Sequence, residues 1–83
     1  MKFQILYTKT ASKDIQKLDR IVKSQIKKKI EIYIKNPLHY AKRLTDPRLG
    51  TYRWRIGNYR IVFDIDRENI IVLRIRHRRD VYK

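Results

Sequence analysis

The spacing of apolar and polar positions changes along the chain, and each change marks an element. Phe3, Ile5 and Tyr7 alternate with Gln4 and Leu6, the period of a short strand. Thr8 to Lys13 is polar and offers helix N-caps at Thr8, Thr10 or Ser12. Ala11, Ile15 and Leu18 then recur at helical spacing and predict a first helix of about ten residues. Asp19 can cap a second helix, in which Ile21, Val22, Ile26, Ile30, Tyr33 and Ile34 form one stripe. Lys23, Lys27, Lys28, Lys29 and Lys35 lie mainly off that stripe, on a solvated face. Asn36-Pro37 ends the helix, because a residue before proline is pushed out of the α region.

The segment 37–50 carries Pro37, Pro47 and Gly50 and reads as a connection packed partly on the core. From Thr51 the period shortens to two. Thr51–Ile56 and Tyr59–Ile65 predict two strands joined by Gly57-Asn58, a two-residue hairpin signal. Asp66 to Asn69 make a second turn, Ile70–Arg76 a third strand of this set, and a polar tail follows to Lys83. The order β-α-α-β-β-β predicts a single α+β domain over 1–83. A two-helix hairpin packs on one face of a mostly antiparallel four-stranded sheet.

Composition adds charge to this outline. The 83 residues hold 22 Lys+Arg against 8 Asp+Glu, a formal charge of +14. Such an excess repels itself and points to a polyanionic partner, with nucleic acid ahead of a membrane for a basic domain without an apolar anchor. No apolar run approaches the roughly 20 residues that span a bilayer, and the start MKFQILYTK does not fit a secretory signal, so the expected location is cytoplasmic. Without cysteine there is no disulfide and no thiolate ligand or nucleophile, and no zinc or calcium pattern appears. No cofactor or metal is expected.

The type of cation also shifts. From position 48 onward there are ten basic residues, nine of them Arg, whereas the helices use mostly Lys. Lysine is a hydrated point charge suited to a solvated face; arginine offers a fork that matches phosphate and a plane that stacks on bases. Strand alternation then sorts them. Tyr52, Trp54 and Ile56 share a face opposite Arg53 and Arg55. Ile61, Phe63 and Ile65 share a face opposite Arg60, Val62 and Asp64. Ile71, Leu73 and Ile75 share a face opposite Arg74 and Arg76. Burying the apolar sets against the helices brings Arg53, Arg55, Arg60, Arg74 and Arg76 together on the helix-free face. A plain wet face would mix charges of both signs.

Two blocks now carry a resemblance. Tyr52-Arg-Trp-Arg-Ile-Gly-Asn-Tyr-Arg-Ile-Val-Phe63 is similar to the "YRxRxGxYRxxF/Y" hairpin of the RelE/ParE toxin superfamily, and Ile75-Arg-His-Arg-Arg-Asp-Val-Tyr82 to its "IxHRxxVY" ending. Leu44 and Leu49-Gly50 match the approach to the sheet, and the resemblance spans the whole chain. It implies a RelE-like, microbial-RNase-like fold and the toxin of a toxin–antitoxin system. The implied activity is metal-independent endoribonuclease cleavage of mRNA in the ribosomal A site, which inhibits translation. The implied partners are a cognate antitoxin, the ribosome and mRNA.

Such cleavage uses the substrate's own 2′-OH as nucleophile. The enzyme must take its proton, stabilise a dianionic phosphorane-like transition state and protonate the leaving 5′ oxygen; preorganised cations contribute most to the second task. The resemblance places the family's basic hairpin residues on Arg53 and Arg55, its GxYR arginine on Arg60, and its tail arginine and tyrosine on Arg78 and Tyr82. Arg53, Arg60 and Arg78 are thereby implied as transition-state cations and Arg55 as a backbone contact. Arg74, Arg76 and Arg79 are further RNA-binding candidates, and the tail register leaves Arg76 and Arg79 as alternatives to Arg78. His77 matches a histidine used by several relatives and suits a base; Tyr82 suits an acid, a base or a stacking platform. Other readings of the same residues are a packing histidine and a tail anchor. At the level of the whole protein, the alternatives are a ParE-like toxin inhibiting DNA gyrase and a non-catalytic RNA- or ribosome-binding inhibitor.

Overall fold

Caps and turns fix the elements close to where the sequence puts them. The computed structural model describes residues 2–46 and 48–81, Asp80 and Val81 by backbone alone. The elements are β1 (Gln4–Tyr7), α1 (Lys9–Gln16), α2 (Arg20–Tyr33), β2 (Lys42–Arg43), β3 (Tyr52–Ile56), β4 (Tyr59–Asp66), β5 (Asn69–His77) and α3 (Arg78–Val81). Thr8 caps α1, its hydroxyl accepting from the Ala11 N–H at 3.0 Å, and Asp19 caps α2 through the Val22 N–H at 2.9 Å. The α2 helix stops at Tyr33, a turn earlier than Asn36-Pro37 requires, and Ile34 closes it. Of the two hairpin residues only Gly57 has positive φ, 58°, and Arg67 supplies the equivalent 57° between β4 and β5.

The sheet has five strands in the order β1-β5-β4-β3-β2, one more than the four expected. The extra strand is Lys42–Arg43, antiparallel to β3, a pairing too short to leave a periodic signature. The β1 strand runs parallel to β5, with Gln4 opposite Asn69 and Tyr7 opposite Val72; the other pairs are antiparallel. The α+β class holds.

Trp54, Phe63, Ile61, Ile70 and Val72 are the largest fully buried side chains, and Ile26 and Ile30 of α2 and Ala11 of α1 close over them. Burying such aliphatic and aromatic side chains stabilises by about 1.5–3 kcal/mol each. The Trp54 Nε1–H donates to the Pro37 carbonyl at 3.0 Å, which ties the chain beyond α2 to the core. Ile21, expected on the α2 core stripe, is 71% exposed. It lies about 100° around the helix from Val22, which packs on the core in line with Ile26 and Ile30.

The set expected for the last strand is corrected. A bulge places both Leu73 and Arg74 against Val62, so alternation restarts there. Ile70, Val72 and Ile75 are buried, rather than Ile71, Leu73 and Ile75. Thr8 pins the bulge: its N–H donates to the Val72 carbonyl at 3.0 Å and its hydroxyl to the Leu73 carbonyl at 3.1 Å.

Candidate nucleic-acid interface

Register brings the arginines together. Arg55 stands opposite Arg60, and Arg60 opposite Arg76, so three arginines stand abreast across β3, β4 and β5. The neighbouring row is Arg53, Val62 and Arg74, with Lys42 beyond Arg53. Side chains so paired have Cβ atoms about 5 Å apart, where like charges destabilise a sheet. A row of this kind is held by the fold against its own repulsion and favours an anion across it.

The helix-free face is not open throughout. The segment after β2 folds back over Val62 and Leu73. The Thr51 N–H donates to Asp64 Oδ1 at 2.7 Å, and the Leu44 N–H donates to the Thr51 carbonyl at 2.8 Å. Gly50, at φ +144°, lies so close that a Cβ there would be 2.6 Å from Val62 Cγ1 and 3.0 Å from Leu73 Cδ1. This cover explains the apolar residues on the nominally wet face.

Between that segment and the arginines runs a groove of about 790 Å³. Val62, Leu73, Leu44 and Leu49 give it apolar walls, and Arg48, Arg60, Arg74 and Arg76 give it a cationic rim. Arg48 pairs with Asp46 through Nε–H to Oδ1 and Nη2–H to Oδ2, both at 3.1 Å. The Arg48 side chain and then its N–H hold the Asp46 carboxyl below the usual carboxylate range. Arg74 forks onto Asp14 of α1, with Nε–H to Oδ2 at 2.9 Å and Nη2–H to Oδ1 at 3.3 Å. Asp14 Oδ2 also accepts the Ile75 N–H at 2.9 Å.

The remaining candidates are placed differently. His77 lies opposite Tyr59, on the side of the sheet that carries Ile61 and Ile75, with the rings edge to face at 5.1 Å. It is outside the arginine row by register, but lines a second pocket of about 300 Å³ with Asp14, Tyr59, Arg74 and Arg76. Its Nδ1 accepts the Arg79 N–H at 3.2 Å. Arg78 and Arg79 open α3 and are exposed; the Arg78 N–H donates to the Asn58 carbonyl at 2.6 Å, docking the tail on the β3–β4 turn. Tyr82 lies outside the described residues. Among the described residues no cluster of three or more His, Cys, Asp or Glu is placed to hold a metal ion.

Sequence reasoning passed over Asp14 and Asp64. Asp14 carried a signal: it falls three residues after Ala11 and four before Leu18, on the apolar stripe of α1, where a carboxylate needs a partner. Asp64 was visible as the acid on a strand face otherwise supplied with arginine.

A sheet backed by a helical hairpin is the fold of RelE-type toxins of solved structure. The chain belongs to the ParE toxin family of type II toxin–antitoxin systems, whose model matches residues 5–82, and it is a toxin of the RelE type. It is 33% identical to Toxin RelG of Mycobacterium tuberculosis, across 100% of this chain and 99% of that protein. Toxin RelE3 of Methanocaldococcus jannaschii is 31% identical, with 95% and 94% covered. Among solved structures, the toxin–antitoxin complex RelBE2 from Mycobacterium tuberculosis contains a chain that superposes with a TM-score of 0.78 at 29% identity, covering 93% of this chain and 99% of that one. The RelB–RelE complex from Methanococcus jannaschii gives 0.73 at 30% identity, with 94% and 95% covered.

Proposed function

We propose that the arginine face is an RNA-cleaving surface and that the protein is an endoribonuclease cutting mRNA in the ribosomal A site. The observation that carries this is the row Arg55, Arg60 and Arg76 beside an apolar groove. A nucleotide has the complementary build, with a base to rest on Val62 and Leu73 and a phosphate to meet the arginines.

Cleavage proceeds by attack of the substrate's 2′-OH on its own phosphate: the O2′–P bond forms as the P–O5′ bond breaks, the 2′ proton passes to water and the 5′ oxygen takes up a proton, leaving a 2′,3′-cyclic phosphate, and charge grows on the phosphorane oxygens in between. Arg60, at the centre of the row, and Arg76 supply the fixed cations that offset it. Arg53 and Arg55 hold the flanking backbone. Arg78 and Arg79 extend the cationic surface from α3, and Tyr82 is the proposed acid for the leaving 5′ oxygen. His77, outside the arginine row, serves to dock the tail against Tyr59 rather than to move a proton. No metal enters this scheme.

The structural relatives are toxin–antitoxin complexes, which supports a cognate antitoxin as partner; an RNA-cleaving role places the protein in the cytoplasm with ribosomes. The test is purified protein on ribosomes programmed with a short message. Cuts should map to the A-site codon, and Arg60→Gln should slow them roughly 10²–10³-fold. Intact message with inhibited gyrase supercoiling would replace this reading with the ParE-like one. RNA binding without cuts would leave a non-catalytic inhibitor.

A further inference from the structure

Asp14 is the only acid on the α1 apolar stripe, and its side chain is 10% exposed against 41% for that of Arg74. Its carboxylate takes three donors: two from Arg74 and the edge N–H of Ile75. The fork thus fixes the guanidinium of Arg74 on the groove rim while cancelling its charge. The other N–H donors of that guanidinium are not engaged by Asp14, and the group remains accessible from the groove.

We propose that Asp14 is a positioning residue for RNA recognition. It turns Arg74 into a charge-neutral, preoriented donor that contacts the RNA strand without adding to the electrostatic attraction. This rests on the reading of the face as an RNA surface. Arg74 then differs in kind from Arg76. Arg76 lies in the same strand and lines the same groove, but it is exposed and its charge is not cancelled by Asp14. The pair sets where attraction stops along the face, because the Arg53, Val62 and Arg74 row ends in a neutral group while the Arg55, Arg60 and Arg76 row does not.

The salt dependence of binding separates the two kinds. Each phosphate neutralised on a single strand contributes about 0.7 to the slope of log affinity against log salt. The probe is a labelled 2′-O-methyl oligouridylate, which cannot be cut, followed by fluorescence anisotropy. Arg76→Gln should flatten the slope by about 0.7. Asp14→Asn, which keeps an acceptor for the Ile75 N–H, should release the Arg74 charge and steepen the slope by about 0.7. The double variant Asp14→Asn with Arg74→Gln should return to the wild-type slope but bind severalfold more weakly, since the fixed donor is gone.

A tie between α1 and β5 that is merely structural would lower the melting temperature and leave every slope alone. An Asp14→Asn slope equal to wild type therefore overturns the inference while the RNA reading stands. So does a double variant flattened as much as Arg76→Gln. If Asp14→Asn proves unfolded by circular dichroism, Arg74→Lys decides: it keeps the charge pair but not the fork, so severalfold weaker binding at an unchanged slope supports the inference and wild-type affinity overturns it. Wild-type protein that binds no oligouridylate at any salt overturns the RNA reading, and this inference with it.

Discussion

Gly50→Ala tests the cover that shapes the groove. The substitution has two ways to be accommodated. If the segment stays in place, alanine must hold φ near +144°, a region kept almost wholly for glycine, at a cost of about 1–3 kcal/mol. Its Cβ must also displace Val62 and Leu73 from 2.6 Å and 3.0 Å, overpacking that costs about 1–3 kcal/mol more. If the segment instead lifts away, the bond from the Thr51 N–H to the Asp64 carboxylate is lost, worth about 1.5–3 kcal/mol as a charge-assisted contact. The apolar cover over Val62 and Leu73 goes with it. The cheaper route sets the result, so the loss is about 2–3 kcal/mol. A domain of this size has about 4–12 kcal/mol in total. Urea unfolding followed by Trp54 fluorescence, with a slope of about 1 kcal/mol/M, should show the midpoint fall by about 2 M. Asp64→Ala releases the same segment, so the double variant should cost clearly less than the two single losses added together. A Gly50→Ala protein within about 0.5 kcal/mol of wild type, or strict additivity with Asp64→Ala, would refute the argument that this backbone is pressed onto the sheet.

Other substitutions probe the row, the core and the edge strand. Arg60→Gln should lower single-turnover cleavage roughly 10²–10³-fold, as for loss of one preorganised transition-state donor. Trp54→Phe should cost about 2–4 kcal/mol in chemical denaturation, from the smaller ring and the orphaned Pro37 carbonyl. Partial burial pushes the Tyr7 phenol above its ordinary value, so its neutral form is favoured in the fold. Below pH 10 both states keep the proton and nothing changes; as the pH rises past 10 the unfolded chain ionises first and stability falls. Alkaline titration at 295 nm should show one late phenol that Tyr7→Phe removes.

Much of this was legible in one dimension. The period of two in Tyr52–Ile56 and Tyr59–Ile65 placed Arg53, Arg55 and Arg60 on one face, because alternation has no freedom once Trp54, Ile61 and Phe63 are buried. The caps Thr8 and Asp19 were legible for a similar reason: a local hydrogen bond needs only local sequence. The last strand was misread because a bulge is set by its neighbours. Thr8 and Asp14 hold the backbone around Leu73 from another element, and nothing between Ile70 and Arg76 records that. The Lys42–Arg43 strand and the cover over Val62 were hidden likewise, since both depend on contacts distant in sequence. His77 was placed among arginines by adjacency along the chain; it stands opposite Tyr59, out of the arginine row, and lines a pocket with Arg74 and Arg76.

The sheet order has a consequence for when the protein becomes active. The strand β5 lies between β1 and β4, and the contact of Thr8 with Leu73 joins positions 65 apart. A nascent chain that ends before β5 has no partner for β1, no Arg74 or Arg76, and no third member of the arginine row. The hairpin of β3 and β4 can form early, but alone it presents a half-built cationic surface with an uncovered apolar side. Long-range closure of this sort is slow relative to local pairing. The complete cationic face therefore exists only once the last strand has docked, and the interval before β5 docks is when another protein can reach the unfinished face first.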